Sequence, residues 1–488
     1  MDCVAQNRRS GWRSAIKVAY ERTAMANSKE QLIADVSFIF EECARLNQMV
    51  QDGKFRDIPR EDAFCDLPHP SHNWPNGKML CSRAGFNRLE ALALKALKQA
   101  GLENRVSLQP ARSVLGEILV RKFVREQRPI EIKHADRALS EMAKRCGKTC
   151  INLTHYIPCH LMSPQSPASF QIGPVRFLNQ ATFRSTLARH IWSNRSRDRS
   201  LGARTVSDAI RYFKTFGWIA ELAVIGCDKK VSETTATRAV FAALNCLHVL
   251  IGPGHSTRMT VGGPGIKYDR RGGFTVTADG ELSYMASYGG PGEGGFEDNW
   301  IELFSGEDAQ RIIANLGVAL EQVVDPSLHR PLSERLLDAA QWYGEAVRET
   351  SPGAKAIKYV TALERMVMTD EKDDIAGLVS SRVAALCLDE PTAERRDRWR
   401  ADVKRAYDIR SKLVHGALSP SSDIVFEGVR LGAQLARDAL LSATTLLGEA
   451  GLRDDVASNR QLGRWYDRLV DHGDGIIARH RARDEDQS

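Results

Sequence analysis

Residues 407–416 read Tyr407-Asp408-Ile409-Arg410-Ser411-Lys412-Leu413-Val414-His415-Gly416 and place an arginine and a histidine close together at the predicted end of a helix. Arg410 is a permanent cation whose planar fork of donors suits phosphate. His415 belongs to the residue type that takes up and releases protons near neutral pH. Cleavage of a phosphodiester without a metal needs a proton carrier and a group that holds phosphate charge, so the stretch predicts that chemistry.

Helix geometry limits what one copy of this stretch can do. Arg410 and His415 are about 140° apart around a helix, whereas Ser411 and His415 are about 40° apart. On one chain, Arg410 and His415 therefore flank a groove and do not share a stripe. Two copies on a twofold axis would present two arginines and two histidines to one RNA strand. Gly416 is the residue type that ends a helix in a left-handed conformation.

The surrounding segment, from residue 331 to about 452, is predicted to be helical throughout. Its apolar residues recur at steps of three and four, as in Leu336, Leu337, Ala340 and Tyr343, which is typical of helices that bury one face. Short links join the helices, so the segment predicts an antiparallel bundle. The predicted helices are Leu332–Val347, Ala354–Met368, Asp374–Leu388, Ala393–His415 and Ile424–Leu447.

The motif in this setting closely resembles the Apea-like group of the HEPN superfamily, whose signature is an arginine and a histidine separated by four to six residues. Upstream, Leu363-Glu364 resembles the glutamate-bearing second helix of that group, and the residues 340–343, Ala-Gln-Trp-Tyr, resemble its first helix. The resemblance covers roughly residues 331–450.

The resemblance implies a bundle that forms a homodimer and, in many members, a metal-independent endoribonuclease without a cofactor. Such proteins are often toxins or effectors of prokaryotic antiviral defence by abortive infection, and they cut transfer or messenger RNA. Arg410 and His415 would be the catalytic pair. In supporting roles, Ser411 would bind phosphate or orient His415, and Lys412 would add positive field. Glu364 would hold Arg410 or set the His415 tautomer. Tyr407 belongs to the sequence pattern that surrounds the pair.

A second interpretation stays open, in which a non-catalytic HEPN module binds RNA or a partner protein. A histidine beside a glycine at a helix end often only caps carbonyls and interacts with the helix dipole. Paired carboxylates with nearby histidines are missing from the sequence around the motif, which argues against a metal nuclease.

One predicted helix is markedly basic, since Arg395, Arg396, Arg398, Arg400, Lys404 and Arg405 precede the motif, interrupted by Asp397 and Asp402. Such a run is usually a solvated face, but on this helix it is also where an RNA backbone would lie. Arg400, Lys404 and Arg405 are the predicted RNA contacts.

The rest of the chain predicts a multidomain α+β protein. Its 488 residues exceed one typical domain, and a net charge of +7 is compatible with an acidic partner such as RNA. Four regions are predicted: a mainly helical N-terminal region (1–150), a mixed α/β sensing or regulatory domain (151–325), the all-α bundle (326–455) and a polar C-terminal tail (456–488). Predicted strands of the middle region are Ile151–Pro158, Phe170–Phe177, Ile219–Gly226 and Phe274–Tyr288, and Gly252-Pro253-Gly254-His255 is predicted to be a hairpin turn.

Compartment and partners follow from weaker signals. The first 28 residues lack an apolar signal core, the apolar run Ala239–Ile251 is too short for a bilayer, and ten scattered cysteines suit a reducing cytoplasm. We therefore expect a cytoplasmic protein without membrane contact, whose defence role would need a phage-derived trigger. A third interpretation makes the N-terminal region a zinc-stabilised nucleic-acid binder, resting on Cys65, His69, His72 and Cys81, although their spacing is not a familiar zinc-finger pattern. A further set, Cys146, Cys150, His155, Cys159 and His160, nearly imitates a zinc knuckle, but its predicted strand would point the ligands to opposite faces.

Overall fold

The computed structural model describes residues 29–58, 67–69, 77–194, 211–262, 269–276, 282–289, 296–387 and 392–487. The chain is mostly helical, with a small antiparallel sheet in its middle region, in keeping with a multidomain α+β layout. Two compact units divide it: residues 1–152 with 225–232, and residues 153–224 with 233–488.

The first unit is helical around one apolar core. Its helices are α1 (29–51), α2 (Arg83–Gln99), α3 (Leu108–Leu119) and α4 (Ile132–Gly147), with a π-helical turn at Val120–Arg125 and a two-stranded ladder of β1 (Leu67–Pro68) and β2 (Lys78–Met79). Val36, Leu92, Leu115 and Met142, one from each helix, lie in the shared core. The predicted helical character is confirmed where this unit is described; residues 1–28 lie outside the described part.

The sheet of the middle region has the strand order β4-β5-β6-β3-β7. Its strands are β3 (Ile151–His160), β4 (Ser169–Ile172), β5 (Val175–Asn179), β6 (Trp218–Cys227) and β7 (Thr260–Val261). Two single predicted strands were wrong, because each is a hairpin. The chain turns at Gly173 so that Phe170 pairs with Phe177, and β8 (Asp269–Val276) pairs antiparallel with β9 (Leu282–Gly289).

Helices flank and follow this sheet. They are α5 (Gln180–Asn194), α6 (described over 211–213), α7 (Lys229–Ile251), α8 (Pro253–Ser256), a 3-10 turn (Trp300–Phe304) and α9 (Glu307–Val324). The predicted hairpin turn at Gly252 was wrong, since Pro253 begins the one-turn helix α8, as proline favours first helical positions. Within the described residues, α7 is long and apolar enough to cross a membrane, and 61% of its apolar window is buried; a buried core helix meets the same criteria.

The predicted bundle helices are confirmed with small shifts at their ends. They are α10 (Pro331–Arg348), α11 (Pro352–Val367), α12 (Ile375–Leu386), α13 (Ala393–Val414) and α14 (Asp423–Arg453). Helix α11 packs on α10, α13 and α14, and α12 packs on α13. The close approach of α13 and α14 needs Gly428, because a Cβ there would lie 2.8 Å from Ile409 Cγ2.

The structure corrects the prediction of a polar tail over residues 456–488. Helix α15 (Asn459–Gln487) packs on α12. Leu462 and Tyr466 are buried four residues apart, and the Tyr466 hydroxyl donates to the Met366 carbonyl at 2.9 Å. Only a few apolar positions anchor this helix in an otherwise polar sequence, so the apolar periodicity was too sparse to predict its packing.

The predicted boundary near residue 325 runs between two helices that pack together. Helix α9 contacts both α10 and α14. Buried Asn315 of α9 donates to the Thr444 carbonyl at 3.0 Å, and Arg330 donates to the Val318 carbonyl at 2.9 Å. The residues before this boundary and the bundle after it therefore share one packed helical layer.

Two buried arginines fix the end of α11. Arg335 Nη1 donates to the Arg365 carbonyl at 2.8 Å, and Arg382 Nη1 donates to the Val367 carbonyl at 2.9 Å. The last carbonyls of a helix have no partners within it, so these bonds hold the end of α11 in place. That end carries Glu364.

Candidate active site

The motif helix α13 ends in a Schellman motif. The Ala417 amide donates to the Lys412 carbonyl at 2.8 Å, and the Gly416 amide donates to the Leu413 carbonyl at 3.3 Å. Gly416 has φ +71°, a conformation that glycine adopts without the cost of a Cβ. The prediction that Gly416 ends the helix is confirmed, and His415 occupies the C-cap.

Arg410 is held across the packing of α13 and α11. Its Nη2 donates to Glu364 Oε2 at 3.2 Å, and its guanidinium lies 5.6 Å from the centre of the Tyr407 ring. Tyr407 also interacts with Glu364 and lowers the pKa of that carboxyl. Exposed fractions of 24% for the Arg410 side chain and 19% for Glu364 show a pair set into the surface and open on one side.

Burial dominates the electrostatics of this group. Desolvation raises the pKa of the Glu364 carboxyl, although the Arg410 charge and the Tyr407 hydrogen bond pull it down. Burial likewise raises the pKa of Tyr407, and the neighbouring Glu364 charge adds to that effect. The Arg410 Nε is buried, with no hydrogen-bond partner in the described part of the chain, so Glu364 does not saturate the guanidinium.

His415 lies at the exposed end of the helix. Among the described residues, its imidazole has no side-chain hydrogen bond or ion pair, and none links it to Arg410. Ser411 is half-buried one turn earlier. Lys412 is exposed and pairs with Asp408 at 2.6 Å, which offsets the positive field expected of it. The structure thus brings Glu364, Tyr407 and Arg410 together and leaves His415 open to solvent.

The basic residues of α13 do not form one cationic face. Contrary to the expectation of a basic surface along this helix, Arg396 is buried. Its side chain is 1% exposed, bonds Asp474 and donates to the Val470 carbonyl at 3.1 Å, so it ties α13 to α15. Arg400 lies 3.8 Å from Asp474 and Arg405 pairs with Glu427 at 2.7 Å, while Lys404 is exposed. These carboxylates lie far away in sequence, so helical periodicity gave no signal for them.

Metal ligation has limited support in the structure. The described residues contain no group of three His, Cys, Asp or Glu side chains placed to hold a metal ion. Cys65 and His72 of the first predicted set lie outside those residues. In the second set, Cys159 is fully buried, which raises its thiol pKa to about 12, and Cys146 Sγ contacts Met142 Sδ at 3.5 Å.

Comparison of the chain with models of protein families, with curated proteins and with solved structures gives no match.

Proposed function

We propose that this protein is a metal-independent endoribonuclease of the HEPN type. The observation that carries the proposal is the anchoring of Arg410 by Glu364 and Tyr407 at the helix end where the His415 imidazole is exposed and unengaged among the described residues. An arginine fixed before the ligand arrives can stabilise developing phosphate charge without reorganising. An open imidazole can reach a proton on the substrate.

In the proposed reaction, the ribose 2′-oxygen attacks the adjacent phosphorus and gives up its proton to one His415 imidazole. The bond from phosphorus to the 5′-oxygen breaks, and that oxygen takes a proton and becomes a 5′-OH end. The other product carries a 2′,3′-cyclic phosphate. Arg410 neutralises the extra negative charge on the phosphate oxygens while five bonds surround the phosphorus.

A homodimer through the bundle would supply the second proton carrier, because one chain has one copy of the motif. The partner's His415 would then protonate the leaving oxygen. Large apolar side chains are exposed beside the motif at the turn between α13 and α14, namely Val414, Ile424 and Phe426. Apolar side chains grouped in this way are a feature of protein interfaces.

The biological setting belongs to the same proposal. We infer a cytoplasmic toxin or effector of antiviral defence that cuts transfer or messenger RNA after a phage-derived trigger acts on the residues before the bundle. Domain order and the HEPN-like motif support this setting. Arg400, Lys404 and Arg405 would contact the RNA backbone, with Arg405 exchanging Glu427 for phosphate.

The test is cleavage of total transfer RNA in EDTA by the parent protein, His415→Ala and Arg410→Ala. Two matched controls are available: His329→Ala removes an exposed histidine outside the site, and Arg365→Ala breaks an interhelical ion pair to Asp338 at 2.6 Å. We expect cleavage by the parent and both controls, and a loss of at least about 100-fold in each site variant. Equal cleavage by His415→Ala would contradict the proposal.

One observation favours the second candidate, a non-catalytic HEPN module that binds RNA or a protein. Arg410 is already paired with Glu364, so the same contact could serve only to join α11 and α13. The dimer mass of His415→Ala separates the two candidates. A dimer that survives while cleavage is lost supports the enzyme, whereas a lost dimer without cleavage by the parent supports the binding module.

A further inference from the structure

A surface cavity with several charged side chains in its wall lies apart from the motif, between the carboxyl end of α7, the turn that follows it, and helices α11 and α14. It is open to solvent on one side and has a volume of about 520 Å³. Lys355 and Tyr359 of α11 and Arg430 and Arg437 of α14 contribute to its wall, opposite the backbone of residues 251–254. This volume is in the range of pockets that take small molecules.

The charge of the wall is positive, with three cations and one carboxylate, Asp438. Arg437 has a structural task, because its Nε donates to the Val249 carbonyl at 2.9 Å and its Nη2 to the Leu250 carbonyl at 2.7 Å. It therefore closes the carboxyl end of α7 and holds that end against α14. The cations that remain for a ligand are Lys355 and Arg430.

Lys355 is a half-buried ammonium without an acceptor among the described residues. Burial lowers its pKa, and the charge of Glu349 opposes that effect from beyond ion-pair distance. Arg430, which lines the same cavity, is exposed and has no ion pair within the described part of the chain. A partly desolvated cation without an ion-pair partner is unfavourable, and an anionic ligand would offset that cost.

We propose that this cavity binds a phosphate group, held between Lys355 and Arg430, with the rest of the ligand in the remaining volume. A phosphate monoester carries about −1.5 to −2 charges at pH 7, which two cations balance. The arginine guanidinium and the lysine ammonium both bind phosphate by donating hydrogen bonds to its oxygens. The group could belong to a free mononucleotide or to an RNA chain, and the site is independent of cleavage at His415.

The test is equilibrium dialysis of the full-length parent against 5′-AMP, adenosine and a ten-nucleotide single-stranded DNA, which lacks the 2′-OH that the proposed cleavage needs. Arg430→Glu is the main variant because Arg430 is exposed. Lys355→Met and Lys355→Arg test the second cation, and Arg311→Glu is the control, since Arg311 is an exposed arginine of α9 outside the cavity wall.

We expect the parent to bind AMP at least about tenfold more tightly than adenosine. Arg430→Glu and Lys355→Met should each lower the affinity for AMP at least about tenfold. Lys355→Arg and Arg311→Glu should stay within about twofold of the parent. Binding of the DNA alone, lost in Arg430→Glu, would assign the phosphate to a nucleic acid chain. Binding of neither ligand, or binding unchanged in Arg430→Glu and Lys355→Met, would overturn the site. Neither result depends on cleavage, so failure here is distinct from failure of the ribonuclease proposal.

Discussion

At the scale of single residues, the proposed cleavage depends on how Glu364 holds Arg410. The two side chains are 46 residues apart in sequence and meet at 3.2 Å. Sequence reasoning could propose Glu364 as the partner of Arg410 only on condition that their helices pack together, because periodicity within one helix carries no information on the neighbouring helix. The contact between Tyr407 and Arg410 was easier to predict, since residues three positions apart on one helix are neighbours.

Glu364→Gln tests this positioning role. The amide keeps the size of the side chain but removes the charge that orients Arg410, so we expect cleavage to fall about 10- to 100-fold. Asp338→Asn is the matched control, because it neutralises the carboxylate of a different interhelical pair on α11, Arg365–Asp338. Equal rates in parent and Glu364→Gln would show that Arg410 needs no anchor.

The same variant should respond to pH in a defined direction. Burial raises the pKa of Glu364 above 4.5, so the folded protein binds this proton more tightly than the unfolded chain does. Stability attributable to Glu364 is therefore greatest below the unfolded pKa and declines as pH rises through the folded pKa. The thermal midpoint of Glu364→Gln should therefore increase relative to that of the parent as pH rises above about 4.5. A gain by the parent instead would mean that the Arg410 charge outweighs burial.

At the scale of helices and strands, the parts that could be predicted are those with a strong local pattern. The five bundle helices repeat apolar residues at three- and four-residue steps, and the structure has a helix at each of these five places. The hairpin at Gly173 was missed because β-forming residues on both sides were read as one strand, although Gly173-Pro174 between them is a turn signal. Helix α15 and the burial of Arg396 were missed because each depends on long-range contacts, as Arg396 meets Asp474 only when α13 and α15 pack.

Arg382 joins three bundle elements, which makes it the element-scale test. Its side chain is 3% exposed, donates to the Val367 carbonyl of α11, and pairs with Glu371 at 2.6 Å and with Asp467 of α15 at 3.3 Å. Arg382→Ala leaves the buried Val367 carbonyl without its donor and removes the cation that faces Glu371 and Asp467, so we expect the free energy of unfolding to fall by about 1–3 kcal/mol.

Urea unfolding measures this loss. Arg311→Ala is the control, since Arg311 and Asp308 form an exposed pair on α9 and such pairs contribute about 0–1 kcal/mol. Similar losses in both variants would contradict the role given to the buried network around Arg382.

At the scale of the whole molecule, we predict that the bundle cannot be separated from the rest of the chain at residue 325. A chain that begins at Pro326 lacks α9, which leaves Thr444 of α14 without the amide of Asn315 and exposes the apolar face of α9's partners. We expect this truncation to be aggregated or proteolysed, whereas a chain beginning at Gly306 keeps α9 and should resist limited proteolysis better. Equal protease resistance of the two truncations would show that α9 is dispensable.

The most direct test of the central claim is the chemistry of the ends left on transfer RNA that has been incubated with the parent protein in EDTA. The proposed mechanism predicts 2′,3′-cyclic phosphate and 5′-OH ends from the parent, and neither from His415→Ala or Arg410→Ala. Fragments with 5′-phosphate and 3′-OH ends, or cleavage that returns only when a divalent metal is restored, would contradict it.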